Sequence, residues 1–174
     1  LLALIFVVPH AAHAATKFWI GPAGGSVLNN AYWSTSSGGP NNTTAPGASD
    51  IATFDSGTTT NAVIDATLSV AGVDIKAGYT GTISQSAALT IGTSNFSQAG
   101  GSFTVTTATS TVFNGAFSLS GGTYTATAAT AEHYRNFTRT GGTYVHNSGT
   151  VLFFRAGSDI TLAASGVTFY NVTM

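Results

Sequence analysis

The chain has 174 residues, of which 6% are charged and 43% are hydrophobic, and its formal net charge is -1. Five Lys and Arg residues in all are too few to neutralise a run of phosphates, which argues against a nucleic-acid-binding protein with a basic surface. The absence of Cys excludes a disulfide scaffold, thiol chemistry and Cys-ligated zinc. The composition therefore indicates a polar but uncharged β-protein rich in Thr, Ser and Gly.

The first 14 residues have the pattern of a secretory signal peptide that lacks its basic n-region. Residues 1–8 are an apolar run, and Pro9 and the small-x-small triplet Ala12-His13-Ala14 follow it. This run is too short for a bilayer-spanning helix, which needs roughly 20 apolar residues. We therefore predict cleavage after Ala14 and export of the remaining chain, which contains no other candidate membrane span.

Residues 15–60 contain both Trp residues of the chain and a Ser-, Gly- and Asn-rich stretch, but no repeat. We predict that this region is the N-terminal cap of the repetitive region that follows, because a solenoid must cover its apolar end and its unpaired strand edges.

Four carboxylates lie in the first half of the chain, at Asp50, Asp55, Asp65 and Asp74. Such a group could hold Ca²⁺ or act as the acid and base of a polysaccharide-cleaving enzyme. Their spacing does not match an EF-hand loop, and the Gly-Gly pairs later in the chain lack the Asp of the calcium-binding nonapeptide repeat. We therefore predict no metal site and no cofactor, and we expect Asp50 to make turn hydrogen bonds after Pro46-Gly47.

A repeat begins near residue 94 and consists of a Phe, a Gly-Gly pair and a second aromatic residue. Three columns define it: Phe96, Phe117 and Phe137; the Gly pairs that start at 100, 121 and 141; and Phe103, Tyr124 and Tyr144. Successive units are 21 and then 20 residues apart. Gly-Gly permits the positive φ or bulge that a corner needs, and the flanking Thr, Val, Phe and Tyr residues favour strands.

Short alternating strands punctuated by single glycines extend this pattern upstream to about residue 61 and downstream past residue 149. A β-only unit of about 20 residues is too short for a propeller blade and suits one coil of a β-solenoid. We predict an all-β fold in which residues 61–174 form five to six parallel stacked coils; the alternative is a β-sandwich with coincidental hairpins. Because the chain stops on an open strand pattern, we also expect it to be part of a longer protein.

Charged residues are absent from 77 to 131 and then cluster at Glu132-His133-Tyr134-Arg135 and Arg139, with His146 one coil later. If these residues converged, they could form a sugar-acid site with Glu132 as the acid and His133 as the base. Arg135 and Arg139 would then be its anion clamp. The alternative is an exposed charged loop with a local ion pair, and we favour it. No nucleophile-elbow, P-loop or zinc-protease motif accompanies the cluster.

Two further patterns, a Thr repeat and a set of glycosylation sequons, do not support a function. Thr104/Thr106 and Thr125/Thr127 repeat one coil apart, as in solenoids that present hydroxyl arrays to ice, but two rungs are too few for such a surface. Sequons at Asn41, Asn42, Asn95, Asn136 and Asn171 are expected by chance in so Asn-, Ser- and Thr-rich a chain.

The N-terminal region resembles a known family. Phe18-Trp19-Ile-Gly-Pro, Ala31-Tyr-Trp33-Ser and Ala45-Pro-Gly-Ala-Ser-Asp50-Ile-Ala-Thr-Phe54 resemble the opening of bacterial autotransporter passengers and related filamentous haemagglutinin-like repeat proteins, as do the later Gly-Gly-Thr-Tyr units. The resemblance implies a right-handed parallel β-helix, export to the bacterial cell surface, and adhesion. It carries over no catalytic residue, because the family has no common active site.

These observations predict an exported surface protein, an adhesin or structural stalk, whose partner is a surface glycan or protein. Contacts would be made by hydroxyls, amides and Tyr residues along one face, since the chain has little charge for electrostatic steering. The alternative is a carbohydrate-active solenoid enzyme or a carbohydrate-binding module.

Overall fold

The computed structural model describes residues 14–154 and 159–174. Short alternations of β-branched, aromatic and hydroxyl-bearing residues form strands of two to five residues in this part of the chain, and Asn30–Tyr32 forms one turn of 3-10 helix. The first ten strands are β1 (Ala15–Trp19), β2 (Gly25–Ser26), β3 (Trp33–Ser34), β4 (Asp50–Phe54), β5 (Ala62–Ile64), β6 (Leu68–Val70), β7 (Gly72–Ile75), β8 (Thr82–Gln85), β9 (Leu89–Ile91) and β10 (Phe96–Gln98). The next ten are β11 (Ser102–Val105), β12 (Thr111–Phe113), β13 (Phe117–Leu119), β14 (Thr123–Thr125), β15 (Thr130–His133), β16 (Phe137–Arg139), β17 (Thr143–Val145), β18 (Thr150–Phe153), β19 (Leu162–Ala163) and β20 (Asn171–Thr173).

The strands stack into three sheets, which we call A, B and C. Sheet A has the order β3-β1-β4-β7-β10-β13-β16-β19, sheet B the order β2-β5-β8-β11-β14-β17, and sheet C the order β6-β9-β12-β15-β18-β20. A coil passes through A, B and C in turn, and each strand pairs in parallel with its equivalent in the next coil. The predicted all-β solenoid of parallel stacked coils is therefore confirmed, with about six turns in the described residues.

The core consists of columns of equivalent side chains. Phe96 stacks on Phe117 with ring centroids 5.1 Å apart, and Phe117 stacks on Phe137 at 4.6 Å. In sheet B, Tyr124 stacks between Phe103 at 5.5 Å and Tyr144 at 5.6 Å. In-register parallel strands place every second residue inside, so a repeat in the sequence becomes a continuous aromatic ladder along the axis.

The Gly-Gly pairs form the corner between sheets A and B, as their position in the repeat predicts. The second glycine of each pair has a positive φ, 55° at Gly101, 70° at Gly122 and 67° at Gly142. The first glycine has a different role, because a Cβ at Gly121 would overlap the carbonyl oxygen of Ala99 in the coil before. The corner therefore needs both glycines.

At the N-terminal end, β3 runs antiparallel to β1 and covers the edge of sheet A. Trp19 and Trp33 are fully buried there and pack edge to face with centroids 5.5 Å apart. The buried Lys17 ammonium pairs with Asp50 at 2.9 Å, which ties β1 to the start of β4.

Sheets A and B already begin at β1 and β2, so stacking runs across residue 60, and the predicted boundary between cap and solenoid stays a prediction. The predicted signal peptide, apart from Ala14, lies outside the described residues. In the described part of the chain, no helix combines the length and apolar character that crossing a bilayer requires.

Candidate functional site

A groove of about 290 Å³ lies along the corner where the chain passes from sheet C to sheet A. It spans several coils, and most of its lining is uncharged. The lining residues are Thr93, Asn95, Asn114, Gly115, Ala116, Arg135, Asn136 and Asp159. We call this feature the corner groove.

Two asparagines at equivalent positions shape the corner groove. Each precedes a Phe of the core column, and its Oδ1 accepts a backbone N–H from the next coil: Asn95 from Ala116 at 2.8 Å and Asn136 from Thr161 at 2.9 Å. Asn95 has a φ of 70°, a left-handed conformation that Asn tolerates better than most residues. With Oδ1 used to join the coils, the amide N–H groups of Asn95 and Asn136 make no hydrogen bond within the described residues and are available as donors.

Arg135 and Asn114 supply the remaining long polar side chains. Arg135 is exposed, and its Nη1 donates to the carbonyl oxygen of its neighbour Tyr134 at 2.9 Å, which leaves other guanidinium N–H groups for a ligand. Asn114 occupies the position of Tyr134 one coil earlier, as the register of Phe113 with His133 requires.

A surface aromatic pair continues the column of Asn114. Tyr134 stacks on Phe154 of the next coil with centroids 4.9 Å apart and an interplanar angle of 11°, and Phe154 is 39% exposed. The hydroxyl of Tyr134 donates to Oε2 of Glu132 at 3.1 Å. Partial desolvation, together with the hydrogen bond and negative charge of Glu132, raises the pKa of Tyr134. The lining of the corner groove thus contains amides, a guanidinium and a carboxylate, and the aromatic pair adjoins it through Tyr134, the chain neighbour of Arg135.

The structure separates three of the residues that were considered for a sugar-acid site. Glu132 and His133 are consecutive in β15, so their side chains leave opposite faces of sheet C. Glu132 lies on the outer face beside Tyr134, whereas His133 is 2% exposed in the core. Arg139 lies at the end of β16 in sheet A, where Nε donates to the carbonyl oxygen of Gly142 and Nη1 to that of Ser165.

The favoured interpretation of this segment as an exposed charged loop is wrong for Glu132 and His133, whereas Arg135 is exposed in the bend that follows the strand. Residues 130–133 are strand β15, and Glu132 bonds to a tyrosine hydroxyl. The reason is the repeat, which places His133 in register between Phe113 and Phe153. Burial in this column lowers the pKa of His133 to about 3, so the imidazole is neutral.

The carboxylates of the first half serve local structure. Asp50 accepts the N–H of Gly47 at 2.9 Å, which confirms the predicted turn hydrogen bond. Burial opposes the ionisation of Asp50, but the Gly47 N–H and the Lys17 ammonium outweigh it and lower the pKa of this carboxyl. Asp55 accepts from the N–H of Gly57, and Asp65 from the hydroxyl of Ser26. Within residues 14–154 and 159–174, no three His, Asp or Glu side chains come close enough together to hold a metal ion.

The sequence suggests Arg135 as part of an anion clamp but does not single out the asparagines of the corner groove. A signal for two of them exists: Asn95 and Asn136 each stand directly before a Phe of the repeat column. For Asn114 the sequence holds no comparable signal, because its coil equivalents are Gly92, Tyr134 and Phe154.

Comparisons with family models, with curated proteins and with solved structures find no match to this chain. The chain is thus described by its architecture, that of a β-helix repeat protein.

Proposed function

We propose that this chain is an exported bacterial surface protein that acts as a rigid stalk and adhesin and binds glycan through the corner groove. The observation that carries the proposal is the combination, at one corner, of free amide donors, an exposed guanidinium and a stacked aromatic pair.

Sugars offer two kinds of surface to a protein. Their hydroxyls donate and accept hydrogen bonds, which suits the amides of Asn95, Asn114 and Asn136 and the guanidinium of Arg135. Their C–H faces are apolar and pack on aromatic edges and faces such as those of Tyr134 and Phe154. The groove follows the solenoid axis over several coils, a shape that suits an extended oligosaccharide more than a compact ligand.

The solenoid supports this role because its backbone is fixed. Hydrogen bonds between coils and the aromatic ladder inside hold the lining residues in place, so little conformational entropy is lost on binding. A stack of similar coils also supplies length and stiffness, which a stalk needs.

The resemblance of the N-terminal region to autotransporter passengers and filamentous haemagglutinin-like proteins supports export and adhesion. Residues 1–14 supply the leader in this proposal. The chain is expressed in a bacterium with a secretory pathway, with a start Met and a short basic n-region placed before Leu1. Mass spectrometry of the exported protein should give an N-terminus at Ala15. Retention in the cytoplasm with residues 1–14 still attached would contradict export.

Glycan binding is tested by screening the purified chain on an array of bacterial and host oligosaccharides. Wild type should bind a subset of oligosaccharides, and Asn114→Ala and Arg135→Ala should each weaken that binding several-fold. Lys76→Ala is the matched control for Arg135→Ala, since it removes one exposed positive charge at a different corner and should leave binding unchanged. Equal loss in all three variants, or no binding by the wild type, would contradict the proposal.

A further inference from the structure

The outer face of sheet B carries a regular array of hydroxyl groups. Each of four consecutive strands, β8, β11, β14 and β17, points two side chains outward, and seven of these eight side chains bear a hydroxyl. They are Thr82 and Ser84, Ser102 and Thr104, Thr123 and Thr125, and Thr143, with Val145 at the eighth position. We call this surface the hydroxyl face.

These outward-facing pairs differ from Thr104/Thr106 and Thr125/Thr127, the pairs that the sequence suggested. Thr106 follows the end of β11, and its hydroxyl donates to the carbonyl oxygen of Gln85 at 3.0 Å. Thr127 is buried, and its hydroxyl donates to the carbonyl oxygen of Thr109. Both residues therefore belong to corners, and the outward pairs begin two residues earlier, at Ser102 and Thr123. With the correct pairs, the array has three complete rungs and a fourth in which Thr143 alone bears a hydroxyl.

The hydroxyls of this face have no partner within the described residues. Corner hydroxyls such as those of Thr106 and Ser120 donate to backbone carbonyls of the preceding coil. None of the seven hydroxyls on the hydroxyl face donates to a backbone carbonyl within the described residues. All seven residues are at least partly exposed. Since strand geometry places each side chain and Thr has a stiff χ1, these donors and acceptors point to solvent in fixed positions.

Their spacing follows from the fold. Adjacent strands lie about 4.7–4.9 Å apart and alternate residues about 6.6 Å apart, so the hydroxyls form a two-dimensional lattice with these repeats. On the inner side of the same strands, the aromatic rings of successive coils are nearly parallel. The interplanar angle is 12° between Phe103 and Tyr124 and 17° between Tyr124 and Tyr144. On the outside, in-register parallel pairing continues the array from β8 through β11 and β14 to β17.

We infer that the hydroxyl face binds an ordered water lattice and that this protein adsorbs to ice. The repeats of the array are comparable to the spacings of water oxygens on ice surfaces, so bound waters would already occupy lattice positions. Less conformational entropy is lost when the protein binds ice, because the strands already fix the positions of the hydroxyls. Charged side chains would disturb such a lattice, and the face has none, whereas the outer faces of sheets A and C include Asp74 and Glu132.

A polysaccharide is the less suitable occupant of this face. The eight outward positions include no aromatic side chain on which a sugar ring could stack, and the corner groove lies between sheets C and A. The inference is thus independent of the proposed glycan site and concerns a different surface.

The test uses the purified full chain in assays of ice-crystal shaping and of ice recrystallisation. Wild type should shape ice crystals and slow recrystallisation. Thr104→Lys and, separately, Thr125→Lys place a long charged side chain in the array and should reduce both effects several-fold. Ser118→Lys is the matched control, since Ser118 points outward from β13 in sheet A, and it should keep full activity.

Circular dichroism and thermal unfolding of each variant establish that the solenoid is folded. Absence of ice shaping by the folded wild type would overturn the inference, as would equal activity of Thr104→Lys, Thr125→Lys and Ser118→Lys. Binding to insoluble polysaccharide that the two Thr variants abolish, without any effect on ice, would also overturn it and assign the face to glycan.

Discussion

The imidazole of His133 lies parallel to the ring of Phe113, with centroids 4.4 Å apart and an interplanar angle of 10°. On its other side the same imidazole contacts Phe153 at a centroid distance of 5.4 Å. Its Nδ1 has no hydrogen-bond partner among the described residues. A titratable side chain thus occupies an aromatic position of the core, and its burial ties the stability of the solenoid to pH.

The free energy of unfolding should fall as the pH falls from about 6.5 to about 3. In the unfolded chain His133 takes up a proton near its ordinary pKa of 6.5, whereas in the folded chain burial holds its pKa at about 3. Protonation therefore favours the unfolded state throughout this window, by about 3 kcal/mol at roughly pH 4. Urea unfolding at about pH 7.5 and about pH 4 measures the difference.

His133→Phe is the matched variant for this prediction. It continues the ladder of Phe113 and Phe153 without a titratable group, so its free energy of unfolding should depend less on pH over the same window. An identical pH dependence of wild type and His133→Phe would show that His133 does not carry the effect.

Phe117→Ala should lower the free energy of unfolding by about 3–5 kcal/mol. Phe117 is fully buried and stacks on both Phe96 and Phe137, so its truncation opens a cavity that rigid neighbours fill poorly. Denaturant unfolding measures the loss. Ser118→Ala, one residue along on the outer face, should change the value by less than about 0.5 kcal/mol. Similar losses in both variants would contradict the assignment of inner and outer faces.

Gly122→Ala should destabilise the chain by at least about 1–3 kcal/mol. Gly122 has a φ of 70°, and a Cβ there would overlap the carbonyl oxygens of Gly100 and Gly101. Gly47→Ala is the control, because a Cβ at Gly47 would meet only Asp50 Oδ2, at 3.8 Å. Thermal unfolding of the two variants should show a large decrease in Tm for Gly122→Ala alone; equal Tm values would contradict the role of the corner glycine.

Lys17→Met should destabilise the N-terminal end, on the order of 1–3 kcal/mol. Lys17 pairs with Asp50 at 2.9 Å and donates to Thr44 Oγ1 at 3.0 Å and to the carbonyl oxygen of Ala45 at 3.1 Å. The variant leaves these acceptors without their donor. Lys76→Met, which removes the ammonium of the more exposed pair with Asp74, should cost less than about 1 kcal/mol in the same unfolding experiment. A larger cost for Lys76→Met would reverse the ranking and contradict the account.

The sequence was sufficient for the fold because a solenoid turns sequence period directly into contact. Phe96, Phe117 and Phe137 are one coil apart, so their alignment in the sequence already identifies a stacked column. The Gly-Gly pairs repeat with the same spacing, and this repeat predicted the corner between sheets A and B.

The surfaces were harder to predict, because the alternation of inward and outward residues in the sequence does not show at which residue a strand ends. Thr106 and Thr127 continue the alternation of their strands in the sequence, but both lie past the end of the strand and turn into corners. His133 stands among charged residues in the sequence, but its spacing of 20 residues from both Phe113 and Phe153 matches the repeat. The corner groove also depends on the path of the chain between sheets, which no local pattern encodes.

The most direct test of glycan binding at the corner groove is an NMR titration of the isotope-labelled chain with an oligosaccharide that it binds on the array. We predict that the chemical-shift changes concentrate on the side-chain amides of Asn95, Asn114 and Asn136 and on the backbone around Arg135. Changes confined to another face of the solenoid, or no changes at all, would contradict the account.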